Sequence, residues 1–502
     1  MSPDAPGGKN GPHEPDRIHK RNKRRHSMPP NDRTAGLLLA RLDRIPNWTM
    51  PRLFALIIGI GFLFTFYDIF DINVSFIQTC IALVPGCTPE SAGGYIGLPV
   101  LLNLAGYVVG TLLLSPLADR MGRRDLLLVT MILTGIGSAI TAVAHSYGTF
   151  VAARAFTGIG IGADLAIVNT YIGELAPSGG RARYTSMIFI FSAIGAVLGI
   201  WLGLWLTTPS TPLPLGLPFA LASKDFEYGW RVMYLIGGAL ALVGVALRFQ
   251  LPESPRWLVS RGRLQEAEQV VAEMETRAHA INPLPPVPEQ IPPLPPKDEA
   301  MPFGAIFRNA VYRNRTLLLT AMWFLAYITV YSFAAGFTTL LTALHFPPPE
   351  AGLITAMGTF GFVLCAIVAY AFGERMERKR WTPLAALITL AGGILISFGG
   401  DNFWLAILGS IIVFFGFNVW VPIAYTWSIE NYPTRARTTG FAIVDGLGHL
   451  GGGIGMFAIA PLIPVIGVFW SLMLICGFLV AAALIAQFGI STRSRLLDEI
   501  SP

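Results

Sequence analysis

Charged residues are scarce in this sequence: they make up 13% of its 502 residues, whereas 53% are hydrophobic. A soluble globular protein carries about 25% charged residues, so the composition excludes an ordinary water-soluble domain. Apolar stretches of about 20 residues, long enough to cross a hydrocarbon core of roughly 30 Å as a helix, recur along the chain. They lie near residues 53–78, 95–117, 126–144, 148–172, 185–207, 231–250, 316–343, 351–372, 382–400, 403–428, 438–462 and 465–488. We therefore predict an all-α membrane protein with twelve transmembrane helices.

The sequence also lacks the residue clusters of an enzyme active site. No nucleophile is spaced with a base, and no group of His, Cys, Asp and Glu has metal-ligand spacing, so we expect no enzymatic activity, metal or cofactor. Gly158, Gly160 and Gly162 look like part of a nucleotide-binding loop, but they lie inside a hydrophobic stretch with no preceding strand. Small residues there indicate close packing of membrane helices instead.

Cysteine is rare as well, with four residues in the whole chain. Only Cys80 and Cys87, which follow the first span, are placed so that they could meet; Cys365 and Cys476 lie in later spans. We expect unpaired thiols at Cys80 and Cys87, with a disulfide as the alternative.

Lys and Arg are concentrated before the first span, in every second connection and at the C-terminus, with Lys224 as the clear exception. Because basic residues stay on the cytoplasmic side during insertion, this pattern predicts that both termini are cytoplasmic in a plasma (inner) membrane. The net charge of +6 follows from this topology and does not indicate nucleic-acid binding. No secretory signal pattern precedes the first span.

The predicted spans divide the chain into five segments. Residues 1–50 are expected to be a disordered basic cytoplasmic tail, 51–250 a six-helix bundle, and 316–490 a second six-helix bundle. The cytoplasmic linker 251–315 combines a short amphipathic helix near 264–280 with a proline-rich segment that cannot be helical. Residues 491–502 form a cytoplasmic tail.

The two halves repeat short motifs. "GELAPSGGRAR" and "IENYPTRARTT" share Glu-x-x-Pro-x-x-x-Arg, and "ADRMGRR" recurs as "GERMERK", with Glu377 at the position of Gly122. Two pseudo-symmetric six-span halves with matching motifs are typical of a secondary transporter whose site lies between the halves at mid-membrane.

These motifs carry a family resemblance. "LADRMGRR" resembles the Gly-x-x-x-Asp-Arg-x-Gly-Arg-Arg signature of the major facilitator superfamily, with Ser115 where the first Gly is usual, and "PESPRWLVSRGR" is similar to the motif that follows the sixth span in sugar porters and related metabolite:proton symporters. The likeness covers roughly residues 50–500. It implies the major facilitator fold and, with it, a monomer that moves a small molecule and protons across the bilayer.

The charged loop "LADRMGRRD" requires more than a topological explanation, because basic residues alone would fix topology. A carboxylate, a glycine and an arginine pair can form ion pairs with a neighbouring helix end. The resemblance implies that such clusters hold the cytoplasmic helix ends together when the site faces outward. The predicted cytoplasmic gate residues are Asp119, Arg120, Gly122, Arg123, Arg124, Glu174, Arg181, Glu253, Arg256, Glu374, Glu430 and Arg437.

Ionisable residues inside spans are costly and mark candidate functional sites. Asp68 and Asp71 share one face of the first span, and Arg154 and Asp164 lie about 15 Å of helix rise apart on the fourth. A carboxylate near an arginine is a simple proton site, so these four residues are the predicted proton-coupling residues. The resemblance agrees, since sugar and phosphate porters have an acid in the first span and an Arg in the fourth; "GIGIGADL" is similar to an element of phosphate, niacin and aromatic-acid symporters.

The predicted substrate site is aromatic and poor in amides. Sugar porters use glutamines in the fifth and seventh spans that have no match here, and the interior amides are chiefly Asn73, Asn103, Asn169 and Asn418. The eleventh-span Lys of phosphate porters corresponds to His449, which disfavours phosphate itself. The predicted substrate-binding residues are Trp323, Tyr327, Tyr331, Asn418, Trp420, Tyr425, Asp445 and His449; aromatic packing is the alternative interpretation.

Together these features predict a secondary active transporter that takes up a small organic acid with protons by alternating access, with aromatic acids among the candidate substrates. A sugar or polyol transporter is the alternative. A drug efflux pump is disfavoured because the Pro-Glu-Ser-Pro-Arg turn is characteristic of metabolite porters.

Overall fold

The computed structural model describes residues 30–46, 49, 52–175, 181–207, 228–287, 303–432 and 437–493. Within these ranges twelve helices are long and apolar enough to cross a membrane, which confirms the predicted fold class. The spans are Leu53–Leu83, Gly93–Leu114, Arg123–Ala142, Tyr147–Ile172, Tyr184–Thr207, Gly229–Arg248, Ala310–Ala343, Pro348–Phe372, Arg378–Gly399, Phe403–Glu430, Thr439–Leu462 and Val465–Gln487. The seventh span begins before its apolar stretch, because the Asn309 side chain caps the N–H groups of Val311 and Tyr312.

The two six-span halves meet along three helix pairs. The second span packs against the eleventh, the fifth against the eighth, and the first against the seventh. Glycines bring the second and eleventh spans together, because a Cβ added at Gly97 would lie 2.7 Å from the Cα of Phe457, and one at Gly453 would lie 2.9 Å from the Cα of Leu101. The interface between the halves is therefore closely packed.

The tenth span consists of two helices, Phe403–Asn418 and Val421–Glu430. Pro422 lies in the first turn of the second helix, where its missing N–H does not interrupt a hydrogen bond. The break places Trp420 against the seventh span, with its ring centroid 4.6 Å from that of Trp323.

A helix precedes the first span and corrects the prediction of a disordered tail over residues 1–50. Residues Pro30–Asp43 are helical and pack on the linker, which contains helices Pro255–Ser260 and Leu264–His279. Leu38 is buried in one apolar cluster with Trp257 and Leu258, and this burial stabilises the helix. No local pattern predicts this helix, because its partner surface lies more than 200 residues further along the chain.

Ion pairs complete the contact between this N-terminal helix and the linker. Nη2 of Arg41 and Nη2 of Arg44 each lie 2.6 Å from an oxygen of Glu275. Burial alone would favour the neutral form of Glu275, but the hydrogen bonds from Arg41 and Arg44 outweigh it and lower the pKa of that carboxyl. Residues 1–29 and most of the predicted proline-rich segment, 288–302, lie outside the described residues.

Cys80 and Cys87 form a disulfide, so the expectation of unpaired thiols is wrong. The first span ends in a turn in which the Val84 N–H donates to the Cys80 carbonyl and the Cys87 N–H to the Val84 carbonyl. This turn, with Gly86 at a φ of +77°, brings the two Cα atoms within 6.0 Å. Cys365 and Cys476 are buried free thiols.

Candidate functional site

Arg154 of the fourth span is buried against the first span. Its Nη1 donates to Oδ2 of Asp68 at 3.0 Å and its Nη2 to the Asp68 backbone carbonyl at 2.8 Å. The hydroxyl of Ser138 on the third span donates to the other carboxylate oxygen of Asp68. Because both of its oxygens are bonded, Asp68 is a fully compensated partner of the buried arginine.

Asp71 lies beside the same arginine in a different environment. Its Oδ1 is 3.7 Å from Nη1 of Arg154, and its side chain is completely buried. Neither carboxylate oxygen has a hydrogen-bond partner among the described residues; the Ile72 N–H faces the carboxylate without hydrogen-bond geometry. A buried charge requires hydrogen bonds that Asp71 lacks, so of the two carboxylates this one is suited to gain and lose a proton.

Asp164 lies apart from this pair, in a second buried cluster. Arg248, the last residue of the sixth span, contacts both of its oxygens, with Nη2 2.9 Å from Oδ2. Thr130 donates to Oδ1 at 2.8 Å and Thr65 to Oδ2 at 3.2 Å. The structure therefore separates Asp164 from Arg154 and surrounds it with partners from the first, third and sixth spans.

Most of the predicted substrate-binding aromatics form one cluster in the second half. The ring of Trp323 lies 4.8 Å from that of Tyr327 and 5.1 Å from that of Tyr425, and the hydroxyls of the two tyrosines are 2.7 Å apart. Tyr327 continues the row to Tyr331, at 5.7 Å between centroids. Asn418 is buried at the end of its helix and makes no hydrogen bond to this cluster within the described chain.

His449 and Asp445 join the aromatic cluster to the first half. Tyr107 of the second span stacks on the His449 ring at 3.8 Å, and its hydroxyl donates to Oδ2 of Asp445 at 2.6 Å. Nδ1 of His449 is 3.4 Å from the other Asp445 oxygen, and its ring is 4.1 Å from that of Tyr327. Tyr107 thus connects the two halves at the site.

A small cavity lies between the two clusters. Arg154 and Asn103 line it from the first half, and Tyr331 and Ala335 line it from the second. Its volume of about 10 Å³ has room for one water molecule, so an organic solute cannot enter until the halves move apart. At this cavity the described residues of the two halves are therefore in close contact.

The predicted gate residues of the first half converge on two carboxylates. Arg123 lies 2.9 Å from Glu174, which also accepts the hydroxyl of Ser254. Glu253 accepts the backbone N–H groups of Arg123 at 3.0 Å and Arg124 at 3.2 Å. Burial raises the pKa of Glu253, although these N–H bonds oppose the shift. The cluster ties the start of the third span to the fourth span and to the linker.

The second half has a related cluster, in which the capping carboxylate comes from a different segment. Arg378 lies 2.8 Å from Glu374 and 3.6 Å from Glu430, which accepts the hydroxyl of Thr492 at 2.5 Å. Glu377 accepts the N–H groups of Arg378 and Thr492, both at 3.1 Å. In the first half the capping carboxylate comes from the linker, whereas here it comes from the position that matches Gly122.

Several residues predicted for the gate lie outside the two clusters, and the side chains of others are not described. Arg256 pairs with Asp43 of the N-terminal helix instead of the gate cluster, because that helix covers the linker turn. Arg120 is exposed. The side chains of Asp119, Arg181 and Arg437 lie outside the described residues, so their gate assignment stays a prediction.

Comparison with known proteins decides the family. The profile described as "Sugar (and other) transporter" matches residues 54–502. The chain belongs to this transporter family. It is accordingly a transporter and not an enzyme, as predicted.

Individual relatives of the transporter agree with the family. It is 24% identical over 481 residues to the niacin transporter NiaP of Acinetobacter baylyi, covering 92% of this chain and 99% of NiaP. It is 29% identical to the 4-hydroxybenzoate transporter PcaK of Pseudomonas aeruginosa, over 76% of this chain and 80% of PcaK. The xylose transporter XylE from E. coli, in a partially occluded inward open conformation, has a TM-score of 0.66 at 19% identity, covering 89% and 99% of the two chains. The transporter therefore has the major facilitator fold.

Sequence reasoning missed the partners of the predicted site residues. Arg248 ends a hydrophobic stretch, so it looked like a boundary residue, and Tyr107 and Ser138 are common residue types within spans. Ser254 could have been found, since it lies inside the "PESPRW" motif beside Glu253. Thr492 carries no local signal, because its role depends on where the twelfth span ends.

Replacing Gly122 by Ala is expected to lower both stability and transport rate. The residue has a φ of 110°, and a Cβ there would lie 2.3 Å from Oε2 of Glu253, so the carboxylate would be displaced from the N–H groups it caps. Gly304→Ala is the matched control, because nothing lies within 4 Å of a Cβ at Gly304. Thermal unfolding and initial transport rates of the purified proteins check this, and equal values for the two variants would contradict it.

Proposed function

We propose that the transporter is a proton-coupled carrier that imports a small aromatic carboxylic acid across the plasma membrane, with both termini in the cytoplasm. The observation that carries the proposal is the carboxylate of Asp71, which has no hydrogen bond and lies beside Arg154. Arg154 also lines the cavity between the halves. A buried arginine attracts a carboxylate substrate, and a buried acid without hydrogen bonds binds a proton.

The charges around Arg154 explain why a proton and an anion travel together. With Asp68 and Asp71 both ionised, the group of three carries a net charge of −1 and repels a carboxylate. A proton on Asp71 makes the group neutral, so Arg154 can attract the anion through the part of its guanidinium that Asp68 does not use, while Asp68 holds it in position. Loss of that proton restores the net negative charge and expels the substrate. The coupling is thus one proton for each carboxylate.

The opposite side of the cavity suits a planar ring. Tyr331 lines the cavity, and its centroid lies 5.7 Å from both the Tyr327 and the His449 rings. Stacked or edge-on aromatic contacts contribute about 0.5–1.5 kcal/mol each beyond area burial. Niacin and 4-hydroxybenzoate, which the relatives NiaP and PcaK are named for, combine a ring with a carboxylate and support this substrate class.

A sugar or polyol is the second candidate, supported by the family description and by the fold shared with XylE. A sugar requires many fixed hydrogen-bond partners. The fifth and seventh spans contain no glutamine, and of the interior amides Asn103 lines the cavity while donating to the Arg154 carbonyl at 2.8 Å. The aromatic acid is therefore favoured.

Uptake into proteoliposomes tests the proposal. Labelled nicotinate, 4-hydroxybenzoate, benzoate, xylose and glucose are offered with and without an imposed gradient that is acidic outside. We expect accumulation of one or more of the acids, abolished by a protonophore, and none of the sugars. Sugar accumulation without acid accumulation would establish the second candidate, and acid uptake that ignores the pH gradient would refute the coupling.

A further inference from the structure

We propose that Asn73 of the first span closes the transport path on the predicted outer face, by bonding its side-chain amide to the backbone of the seventh span. Its Nδ2 donates to the Phe333 carbonyl at 3.0 Å and to the Ala334 carbonyl at 2.6 Å. Its Oδ1 accepts the Thr338 N–H at 3.1 Å and the Thr338 hydroxyl at 2.7 Å. One side chain of the first half thus makes four bonds to a single helix of the second half.

The contact involves one step of the helical hydrogen-bond ladder. In an α-helix the N–H of residue 338 pairs with the carbonyl of residue 334. The Asn73 amide bonds to both groups of this pair, so it competes with the ladder of the seventh span. When the two halves separate at this end, the Thr338 N–H and the Ala334 carbonyl have each other as partners within the helix. Opening therefore leaves no backbone group of the seventh span without a partner, which suits a contact that forms and breaks repeatedly.

Asn73 itself has no capacity left for a substrate. An asparagine amide has two donor hydrogens and an oxygen with two acceptor positions, and all four are used within the protein. The side chain is completely buried. Asn73 therefore serves the contact between the halves and not the cavity, although the sequence showed it only as one of a few interior amides.

Other contacts at the same end join the two halves. The hydroxyl of Thr342 on the seventh span lies 3.5 Å from the carbonyl of Pro89, in the loop that follows the first span. The Cys80–Cys87 disulfide ties this loop to the end of the first span. The first span and its loop thus form one unit that contacts the seventh span at Asn73 and again nearer the membrane surface.

The position of Asn73 also links closure to the proton site, a step that rests on the proposed function. Asp71 and Asn73 are two residues apart on one helix, so they are related by about 3 Å of rise and point to different sides of it. Asp71 faces Arg154, and Asn73 faces the seventh span. A small rotation of the first span on protonation of Asp71 therefore moves Asn73 relative to Thr338.

Thiol labelling tests the closure directly and does not depend on substrate. Val100, which lines the cavity, is replaced by Cys in a background in which Cys365 and Cys476 are Ala, and a membrane-impermeant thiol reagent is added to intact cells. Combining Val100→Cys with Asn73→Ala is expected to accelerate labelling at least about fivefold, because several hydrogen bonds of the closed state are lost. The matched control is Asn169→Ala. The Asn169 amide donates to the Leu165 carbonyl of its own helix, at 2.8 Å, and so does not join the two halves.

The outcomes separate this inference from the proposed function. The inference would be overturned if Asn73→Ala were labelled no faster than Asn169→Ala. It would also be overturned if labelling were faster only in inverted vesicles, where the reagent reaches the cytoplasmic side. If Asn73→Ala does not fold, Thr338→Val decides, because it removes one of the four bonds and is expected to give a smaller acceleration in the same direction. Faster labelling in a protein that transports no acid would support the gate while refuting the substrate.

Discussion

Replacing Asp71 by Asn is expected to abolish accumulation driven by a pH gradient while leaving exchange of substrate across the membrane. The amide imitates a permanently protonated acid, so Arg154 still attracts the anion but no proton is released with it. Because a proton and a monovalent carboxylate move together without net charge, a gradient of one pH unit supports about tenfold accumulation in the parent. In proteoliposomes of the variant, the internal substrate concentration should not exceed the external one, whereas counterflow should be retained.

Asp68→Asn is the informative comparison, since the two carboxylates flank the same arginine. Asp68 holds Arg154 through Oδ2 and its backbone carbonyl, so its replacement should impair exchange and accumulation together. If Asp71→Asn retained parental accumulation at matched expression, proton coupling through this residue would be wrong. If Asp68→Asn instead lost accumulation but kept exchange, Asp68 would be the residue that binds the transported proton.

Replacing Asp164 by Asn is expected to cause the largest loss of stability. Arg248 would remain buried and charged without an opposite charge, and breaking a buried ion pair in this way costs about 3–5 kcal/mol. We expect a lower unfolding temperature and less monodisperse protein after gel filtration. The double variant Asp164→Leu with Arg248→Met should recover stability, since apolar residues of similar size can replace a buried pair.

The double variant also tests the sequence-based assignment of Asp164 to proton coupling. A stable double variant that accumulates substrate with the pH gradient would establish a structural role for the pair. A stable double variant that loses accumulation and keeps counterflow would return Asp164 to the coupling mechanism. A single variant as stable as the parent would refute the stability argument.

The cost of burying charge in a membrane leaves few ionisable residues inside the spans, so the residue types indicated which side chains to consider for the candidate site. Asp68 and Asp71 of the first span do lie beside Arg154 of the fourth. The different hydrogen bonding of Asp68 and Asp71 could not be predicted, since it depends on Ser138, which the third span brings against Asp68 and not Asp71. Periodicity likewise predicted the row Trp323, Tyr327 and Tyr331.

Contacts between distant segments account for what the sequence did not reveal. Asp164 and Arg248 are 84 residues apart, and Tyr107 and Asp445 are 338 apart, so no local pattern relates them. The N-terminal helix was missed for the same reason. A short polar segment before an apolar stretch resembles a tail unless its docking surface is known.

The N-terminal helix has a consequence for the synthesis of the chain. Arg41 and Glu275 are separated by 234 residues, so at about 5–20 residues per second the helix leaves the ribosome roughly 10–50 s before the linker helix exists. During that interval six spans enter the membrane, while Leu38 and its apolar neighbours have no protein surface to cover them. The docking of this helix on the linker therefore marks the point at which the first half of the transporter is complete.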